Sequence, residues 1–493
     1  MLIEMELTQL PLPDIELGSP GTFRDLKIGL MEAGPFDLRF GSSHKKEIRV
    51  GFVGDAEMLK QGWRWLEHCR VPIPSDIKDS AQYLDFPGFE PIFRASLVLS
   101  GQWRVEIGNG KLESALSKNN PSRFEVVLAL YADAVEQLAD NTNIRPDIVI
   151  CCLPDEVVQT CWSISNSLTS RQRRLIKERQ VERERGQLLL FPDIEENEAD
   201  LQNRDFRRAL KARTMKFRMP IQIGTSNLFE DLGTNQDAAT RAWNMSVGLY
   251  YKAGGIPWCF KAEGPETCFV GISFHHLRTP SRHLVYSSLA QAFSSRGEGF
   301  ALRGEATPWN EKQGRNVHLT VEQAAKLAKG VLQEYREGTG GNPQRVVLHK
   351  TSRFDDSEQE GFRRGFRDIP ILEFINIMPT QFRLLTYGKY PPRRGTLCTV
   401  NKTATYLFTT GYMPEWRTYP GPHIPAPVRL MSDNDVDMHQ VASDILGLAR
   451  MNWNTASMSS SHPVTLSFSR RVGGIMAEVG ENEQPHPSFR YYM

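Results

Sequence analysis

The sequence has no apolar run approaching the about 18 residues that a membrane-spanning helix requires. Its first residues, MLIEMELTQLPLPDIELG, carry acids where a signal peptide carries positive charge, which predicts a cytoplasmic protein. Cysteine is sparse: seven residues, an odd number, scattered and with no CxxC spacing. That argues against a disulfide framework or a thiolate zinc site and predicts buried thiols in a reducing compartment. Charge of either sign is not in excess. With 59 Lys and Arg against 58 Asp and Glu the net charge is +1, which excludes a protein that binds polyanions by bulk charge alone. A channel with basic walls stays open, because a polyanion responds to the local field. Internal repeats and low-complexity tracts are also missing. What is present, 40% hydrophobic and 24% charged residues, is the composition of a globular protein, and 493 residues allow two or three domains.

Residues 1–46, rich in Pro, Gly and short apolar pairs, predict an extended N-terminal segment. EIRVGFVG (Glu47–Gly54) reads as a buried strand meeting a turn, and AEMLKQGWRWLEHC as the amphipathic helix after it; the turn and Asp55 are too weak to name a nucleotide site. FEVVLALYADAVEQLAD and PDIVICCLPDEVV give the next helix and a strand covered on both faces. Residues 170–186 mix Arg and Glu evenly, which favours a solvated helix over a nucleic-acid contact, and the acidic residues 193–200 predict an exposed loop. Beyond residue 266 the chain alternates apolar runs with helical periods. TCFVGISFHH, LVYSSLAQAFSS and GFALRGEAT read as strands, TVEQAAKLAKGVLQEYREG as a helix, and QRVVLHKTSRF, IPILEFINIM, FRLLTYG, GTLCTVNKTATYLFTTGY and VRLM as further strands. VDMHQVASDILGLARMNW reads as a later helix. Three strands, a helix, then a strand and further helices is the order of an RNase H-like domain.

The densest chemistry lies in RDFRRALKARTMKFRMPIQIGTSN. Arg204, Arg207, Arg208, Lys211, Arg213, Lys216 and Arg218 face one Asp205, a local charge of +6 in a protein of +1. The first half has good helix formers and no Gly or Pro, so Arg207, Lys211 and Arg218 are expected on one broad face. Gln222 follows in a short strand. Lys252 ends the helix in QDAATRAWNMSVGLYYKAGGIPW, with Gly254-Gly255 as its cap. Arg207, Lys211, Gln222 and Lys252 are able to converge on one phosphate group through charge-assisted hydrogen bonds, with Arg208 able to exchange roles with Arg207. The competing readings are a solvated basic helix face for Arg207 and Lys211, and a helix-dipole contact for Lys252.

At these residues the sequence resembles the Argonaute family, specifically a short prokaryotic Argonaute made of MID and PIWI domains. The resemblance runs from about residue 47 to the C-terminus and rests on QDAATRAWNMSVGLYYKAGGIPW at the MID-to-PIWI junction and on the strands CFVGISF and VVLHKTSRF. It implies an α/β protein with an N-terminal extended segment (1–46), a Rossmann-like MID domain (47–258) and an RNase H-like PIWI domain (259–493). It also implies a MID pocket for the 5′-phosphate of a guide strand. Family pockets use Tyr or His, then Lys four residues on, then Gln, then Lys in the next helix; Arg207, Lys211, Gln222 and Lys252 fall at those positions. Arg207 departs from the usual residue but keeps phosphate donors and a stacking plane. A Mg²⁺ at the guide phosphate is left open.

Argonautes that cut need carboxylates to hold two divalent cations on the scissile phosphate. By the resemblance those positions fall here on Ser273, Thr351, and Ser469 or Arg470, none of them acidic. Asp355, Asp356, Glu298 and Glu305 lie near in sequence but on expected loops. His275 and His276 should point to opposite faces of a strand, and His349 reads as a packed or phosphate-facing histidine. The resemblance therefore implies a non-slicing binder of a 5′-phosphorylated guide, RNA by expectation, and of a single-stranded DNA target. Lys350, Arg353, Arg383, Lys402 and Arg429 are candidate backbone contacts. It further implies a heterodimer with an APAZ-containing effector of Sir2, TIR or nuclease type in anti-phage or anti-plasmid defence. The stretch MPEWRTYPGPHIPAP and the tail SFRYYM are candidate contacts for it. The alternatives are an RNase H-like nuclease using displaced acids, and a scaffold subunit that has lost guide binding.

Overall fold

The computed structural model describes residues 4–21, 23–78, 82–140, 145–165, 203–230, 236–276, 284–294, 299–308, 317–385, 391–414, 416–417, 419, 424–433, 435–456, 460, 462–479 and 483–493. The expectations for residues 170–186, for 193–200 and for Glu298 fall outside these.

A four-stranded parallel sheet runs in the order Ser96–Glu106, Glu47–Gly54, Ile148–Leu153, Ile221–Thr225. Ile148–Leu153 is buried at every position because alternate side chains enter different cores. Ile148, Ile150 and Cys152 pack with the Ala56–His68 helix, while Val149, Cys151 and Leu153 pack with the Ser122–Ala139 and Phe206–Met215 helices. Asp55 is the N-cap of the first of these, its Oδ1 accepting from the backbone N–H of Glu57 and Met58 at 3.0 Å. That assigns the acid after the glycine turn to helix capping.

A ten-stranded sheet forms the second layer. Thr267–His276 runs antiparallel to Leu284–Ser294 on one side and parallel to Arg345–Lys350 on the other. Gly299–Leu302 adds to Leu284–Ser294; the Val321–Thr339 helix then crosses, opened by a Thr320–Gln323 capping box and closed by Gly340 at φ +80°. Ile371–Pro379 follows in parallel, and Val428–Met431, Ala404–Leu407 and Thr396–Val400 extend the sheet outward in antiparallel pairs. Antiparallel neighbours first, a helix, then a return beside the first strand is the RNase H-like order expected from the sequence.

Three local expectations change. The N-terminal segment is more than an extended lead-in: Met5–Gln9 joins the large sheet against Thr396–Val400, Ile15–Glu16 pairs with Cys259–Phe260, and Leu26–Ala33 is a helix capped by Asp25. Residues 382–385 are not a strand; Phe382 instead stacks on Tyr406 at 4.5 Å. The basic helix ends at Met215, so Arg218 lies beyond it in a left-handed conformation (φ +51°), off the face of Arg207 and Lys211. All seven cysteines are free and buried. No helix among the described residues is long and apolar enough to cross a membrane.

Candidate nucleic-acid interface

A cavity of about 250 Å³ opens between the two layers. Arg207, Arg208 and Lys211 reach it from the Phe206–Met215 helix, Gln222 from its strand, Arg241, Asn244 and Lys252 from the Ala238–Lys252 helix, and Arg471, Tyr492 and Met493 from the C-terminal region. Among the described residues six cations line it and no carboxylate side chain does. All five residues expected at a phosphate site are thus brought to one cavity.

Their local geometry explains how. Asp205 caps the basic helix by accepting from Arg208 N at 2.9 Å, which fixes where the first turn points. Lys211, buried, donates to the main-chain oxygens of Met493 at 2.6 Å and Tyr492 at 3.5 Å. Lys252, 2% exposed, donates to Gln222 Oε1 at 2.5 Å and Ile221 O at 3.3 Å. Gln222 turns its amide nitrogen to Ile223 O at 3.0 Å, so in this state its oxygen orients Lys252 and its donor is held by the strand. Arg208 lies over Gly474; a Cβ there would come 2.9 Å from Arg208 Nε, so a larger residue would make the guanidinium shift.

The electrostatics follow from this enclosure. Burial holds the Lys252 ammonium down to about 7, with Arg207 adding repulsion. Burial, followed by Lys252, Arg207 and Arg471, pushes Lys211 well below the usual lysine range. Two lysines desolvated among cations, with no acidic side chain among the described residues that line the cavity, make a site that gains most from a multiply charged anion. Mg²⁺, a hard cation that takes oxygen ligands, would find here the amide oxygens of Gln222 and Asn244 and the main-chain oxygen of Met493, the last held by Lys211. The side-chain amide oxygens of Gln222 and Asn244 already accept from Lys252, and from Thr455 Oγ1 and Ala456 N.

Arg241, Asn244 and Arg471 were not anticipated. Arg241, Gly248 and Lys252 are spaced to share one helix stripe, a signal available in the sequence. Arg241 donates to the carbonyls of Asn227, Leu228 and Glu230 and lies 5.0 Å from the Trp65 ring centroid. Arg471 comes from more than 200 residues away, and no local pattern announces it.

In the large sheet, Ile272 pairs with Lys350 as the last pair of their parallel ladder; Thr351 follows the end of its strand, while Ser273 stays in a strand that runs on to His276, with a bulge between Ser273 and Phe274. Ser469 is buried and donates to Leu466 O at 2.7 Å. Arg470 follows it in the Ser469–Met476 helix; its side chain, like those of His275 and His276, is outside the described residues. Gly271 lets the Val464–Ser467 helix approach: a Cβ there would meet Thr465 O at 1.9 Å. His349 is fully buried, Nδ1 on Thr465 Oγ1 at 2.9 Å, and burial lowers it to about 3, so it is neutral and packed.

The expected backbone contacts divide. Lys350 is 1% exposed, its ammonium 2.7 Å from both Glu358 oxygens and between the rings of Phe274 and Phe354. It holds the sheet to the Asp356–Gly365 helix and is not a surface contact. Arg353 is exposed, and Lys402 is exposed in the turn before Ala404–Leu407. Arg383 and Arg429 are half-buried, Arg383 donating to Thr380 O and Phe382 O. These residues do not line the cavity. Asp355 is the N-cap of the Asp356–Gly365 helix, in a reciprocal box with Glu358. Asp356 is exposed in its first turn. Glu305 pairs with Lys326. His318, Asp355 and Glu358 are close enough to share a metal ion, but Lys350 already neutralises Glu358 there. The tail expected as a contact surface is buried at Phe489, Tyr491, Tyr492 and Met493. In the Pro-rich stretch Met413 is buried and Trp416 Nε1 donates to Asp25 at 3.0 Å.

No protein-family profile and no curated protein sequence matches this chain. Solved structures do. Clostridium butyricum Argonaute bound to a guide DNA and a 19-mer target DNA superposes with a TM-score of 0.63 at 14% identity, covering 98% of this chain and 54% of that one. Aa-Ago with externally bound siRNA gives 0.56 at 16%, covering 99% and 56%, and A. aeolicus Argonaute 0.56 at 15%, covering 99% and 55%. The chain spans about half the length of these proteins. Its architecture is that of the MID and PIWI layers of an Argonaute fold.

Proposed function

We propose that the chain is a guide-dependent nucleic-acid sensor. It binds a 5′-phosphorylated short guide, RNA in our reading, and a complementary single-stranded DNA target without slicing it. The observation that carries this reading is the cavity: six cations, no carboxylate side chain, and two lysines held below their usual range until an anion arrives. A terminal phosphate fits because it offers more charge and more acceptors than a backbone phosphodiester. Sequence is then read by base pairing while the protein grips backbone. The similar C. butyricum protein holds a guide and a target, both of DNA, so the sugar of each strand is part of the test.

Absence of slicing is supported by the hydroxyl residues Ser273, in its strand, Thr351, just after a strand, and Ser469, at a helix start, which stand where the resemblance implies the acids of a two-metal site. The response then belongs to a partner, which we assign to an APAZ-containing effector of Sir2, TIR or nuclease type, acting in a cytoplasmic heterodimer against phage or plasmid DNA. To test this, the chain is purified with the product of the adjacent gene, and the sugar and 5′ end of the bound nucleic acid are determined. Short 5′-phosphorylated RNA, and no cleavage of a matched target by the chain alone with Mg²⁺ or Mn²⁺, is the expected result. Metal-dependent cleavage lost in Asp355→Ala would establish a nuclease with displaced acids instead. Empty preparations that also fail to bind a supplied guide would leave a scaffold.

A further inference from the structure

No described residue of the N-terminal segment lines the phosphate cavity, yet the segment grips the helix that delivers Lys252 to it. Lys45 Nζ donates to Ala253 O at 2.8 Å, one residue past Lys252, and to Asp147 Oδ1 at 2.7 Å. A carbonyl at a helix C-terminus has no partner within its own helix, so a cation there satisfies both the acceptor and the negative end of the helix. The exit of the chain is held as well. Phe36 N donates to Pro257 O at 3.0 Å and Asp37 N to Ile256 O at 3.4 Å.

Two residues before Lys252, the fully buried Tyr250 is fixed at its hydroxyl and at its ring. The hydroxyl donates to Asp37, whose carboxylate oxygens lie at 2.7 and 2.8 Å, and stands 3.2 Å from His44 Nδ1. His44 Nε2 donates in turn to Arg94 O at 3.1 Å. The ring stacks on Phe93 at 4.5 Å, and Gly255 packs so closely that a Cβ there would come 2.3 Å from it. Asp37 and His44 are themselves buried, so losing the Tyr250 hydroxyl would strand buried polar groups. A lysine carries its charge on a flexible stem, and the place of its ammonium depends on the turn that launches it.

We infer that Lys45, together with the Asp37–His44–Tyr250 cluster, positions the phosphate site: these residues act through the last turn of the Ala238–Lys252 helix and set where the Lys252 ammonium stands. The inference rests on the proposed reading that the cavity takes a guide 5′-phosphate. Lys45, Asp37, His44 and Tyr250 do not line the cavity, so their effect on phosphate recognition passes through that helix.

The test uses the full chain and one RNA guide carrying either a 5′-phosphate or a 5′-hydroxyl, with affinities measured for wild type, Lys45→Met and Tyr250→Phe. Lys45→Met should fold, because Asp147 Oδ2 keeps Arg49 N at 2.8 Å and Arg49 Nε at 3.4 Å; it carries the test if Tyr250→Phe does not fold. The expected result is a phosphate preference reduced by about fivefold or more in both variants, with affinity for the 5′-hydroxyl guide within about twofold of wild type. On a Lys252→Met background the same changes should leave the preference where it is, because the group they place is gone. An unchanged preference in the single variants, with only the urea midpoint lowered, overturns the positioning role and leaves the guide reading intact. Full losses on the Lys252→Met background overturn action through Lys252. A wild-type chain that binds the two guides equally overturns the guide reading and this inference with it.

Discussion

Lys252 is where structure and function meet most closely at the residue scale. In the folded chain it titrates near 7, against an ordinary value of 10.5. Between those values the unfolded chain binds one more proton, so raising pH favours the fold. The wild-type protein should therefore gain about 1–2 kcal/mol of stability from pH 7 to pH 9 relative to Lys211→Met/Lys252→Met, read by urea unfolding. Equal pH dependence in the two proteins would contradict the buried-cation account. Binding runs the other way. An anion restores the ammonium, so guide affinity should fall as pH rises above about 7, by up to about tenfold per pH unit for each lysine that takes up a proton. Because the pocket supplies its own cations, EDTA should change guide affinity by less than about twofold; a larger loss would place a metal at the phosphate. The sequence made five of these residues legible, since charge density and helical spacing are local. It did not show that Gln222 presents its oxygen to Lys252, or that Lys350 is spent on Glu358. Both depend on partners brought in by folding.

At the scale of elements, close approaches carry most of the information. Gly271→Ala would drive a methyl into Thr465 O, a main-chain atom that cannot turn away, and should destabilise by about 2 kcal/mol or more. Removing the Asp55 cap should cost about 1 kcal/mol, and chemical denaturation distinguishes the two. IVICCL and the Val321–Thr339 helix were readable in advance because periodicity and capping lie within a few residues. FRLLTYG was not: its apolar residues read as a strand, yet Phe382 is spent stacking on Tyr406. Arg218 was placed on a helix that ends at Met215, because helix propensity does not reveal a left-handed stop at a non-glycine residue. The tail SFRYYM read as exposed since nothing in six residues shows that they close a cavity wall from the far end of the chain.

For the whole molecule, the N-terminal segment and the C-terminal tail tie the two sheets together, and the cavity sits where they meet. Its walls come from residues as distant as Arg207 and Met493, so the pocket exists only when both layers are folded. Guide binding should therefore raise the unfolding temperature of the whole chain and not of one layer, and should weaken steeply with salt as backbone phosphates are gripped. The central claim is that the cavity recognises a terminal phosphate. The most direct measurement is the affinity of the purified chain for one RNA guide carrying either a 5′-phosphate or a 5′-hydroxyl, in wild type and in Lys211→Ala/Lys252→Ala. The account predicts that the wild type prefers the phosphate by about 10²-fold or more, as two charge-assisted contacts allow, and that the preference collapses in the double variant. Equal affinity of the wild-type chain for the two guides would contradict it.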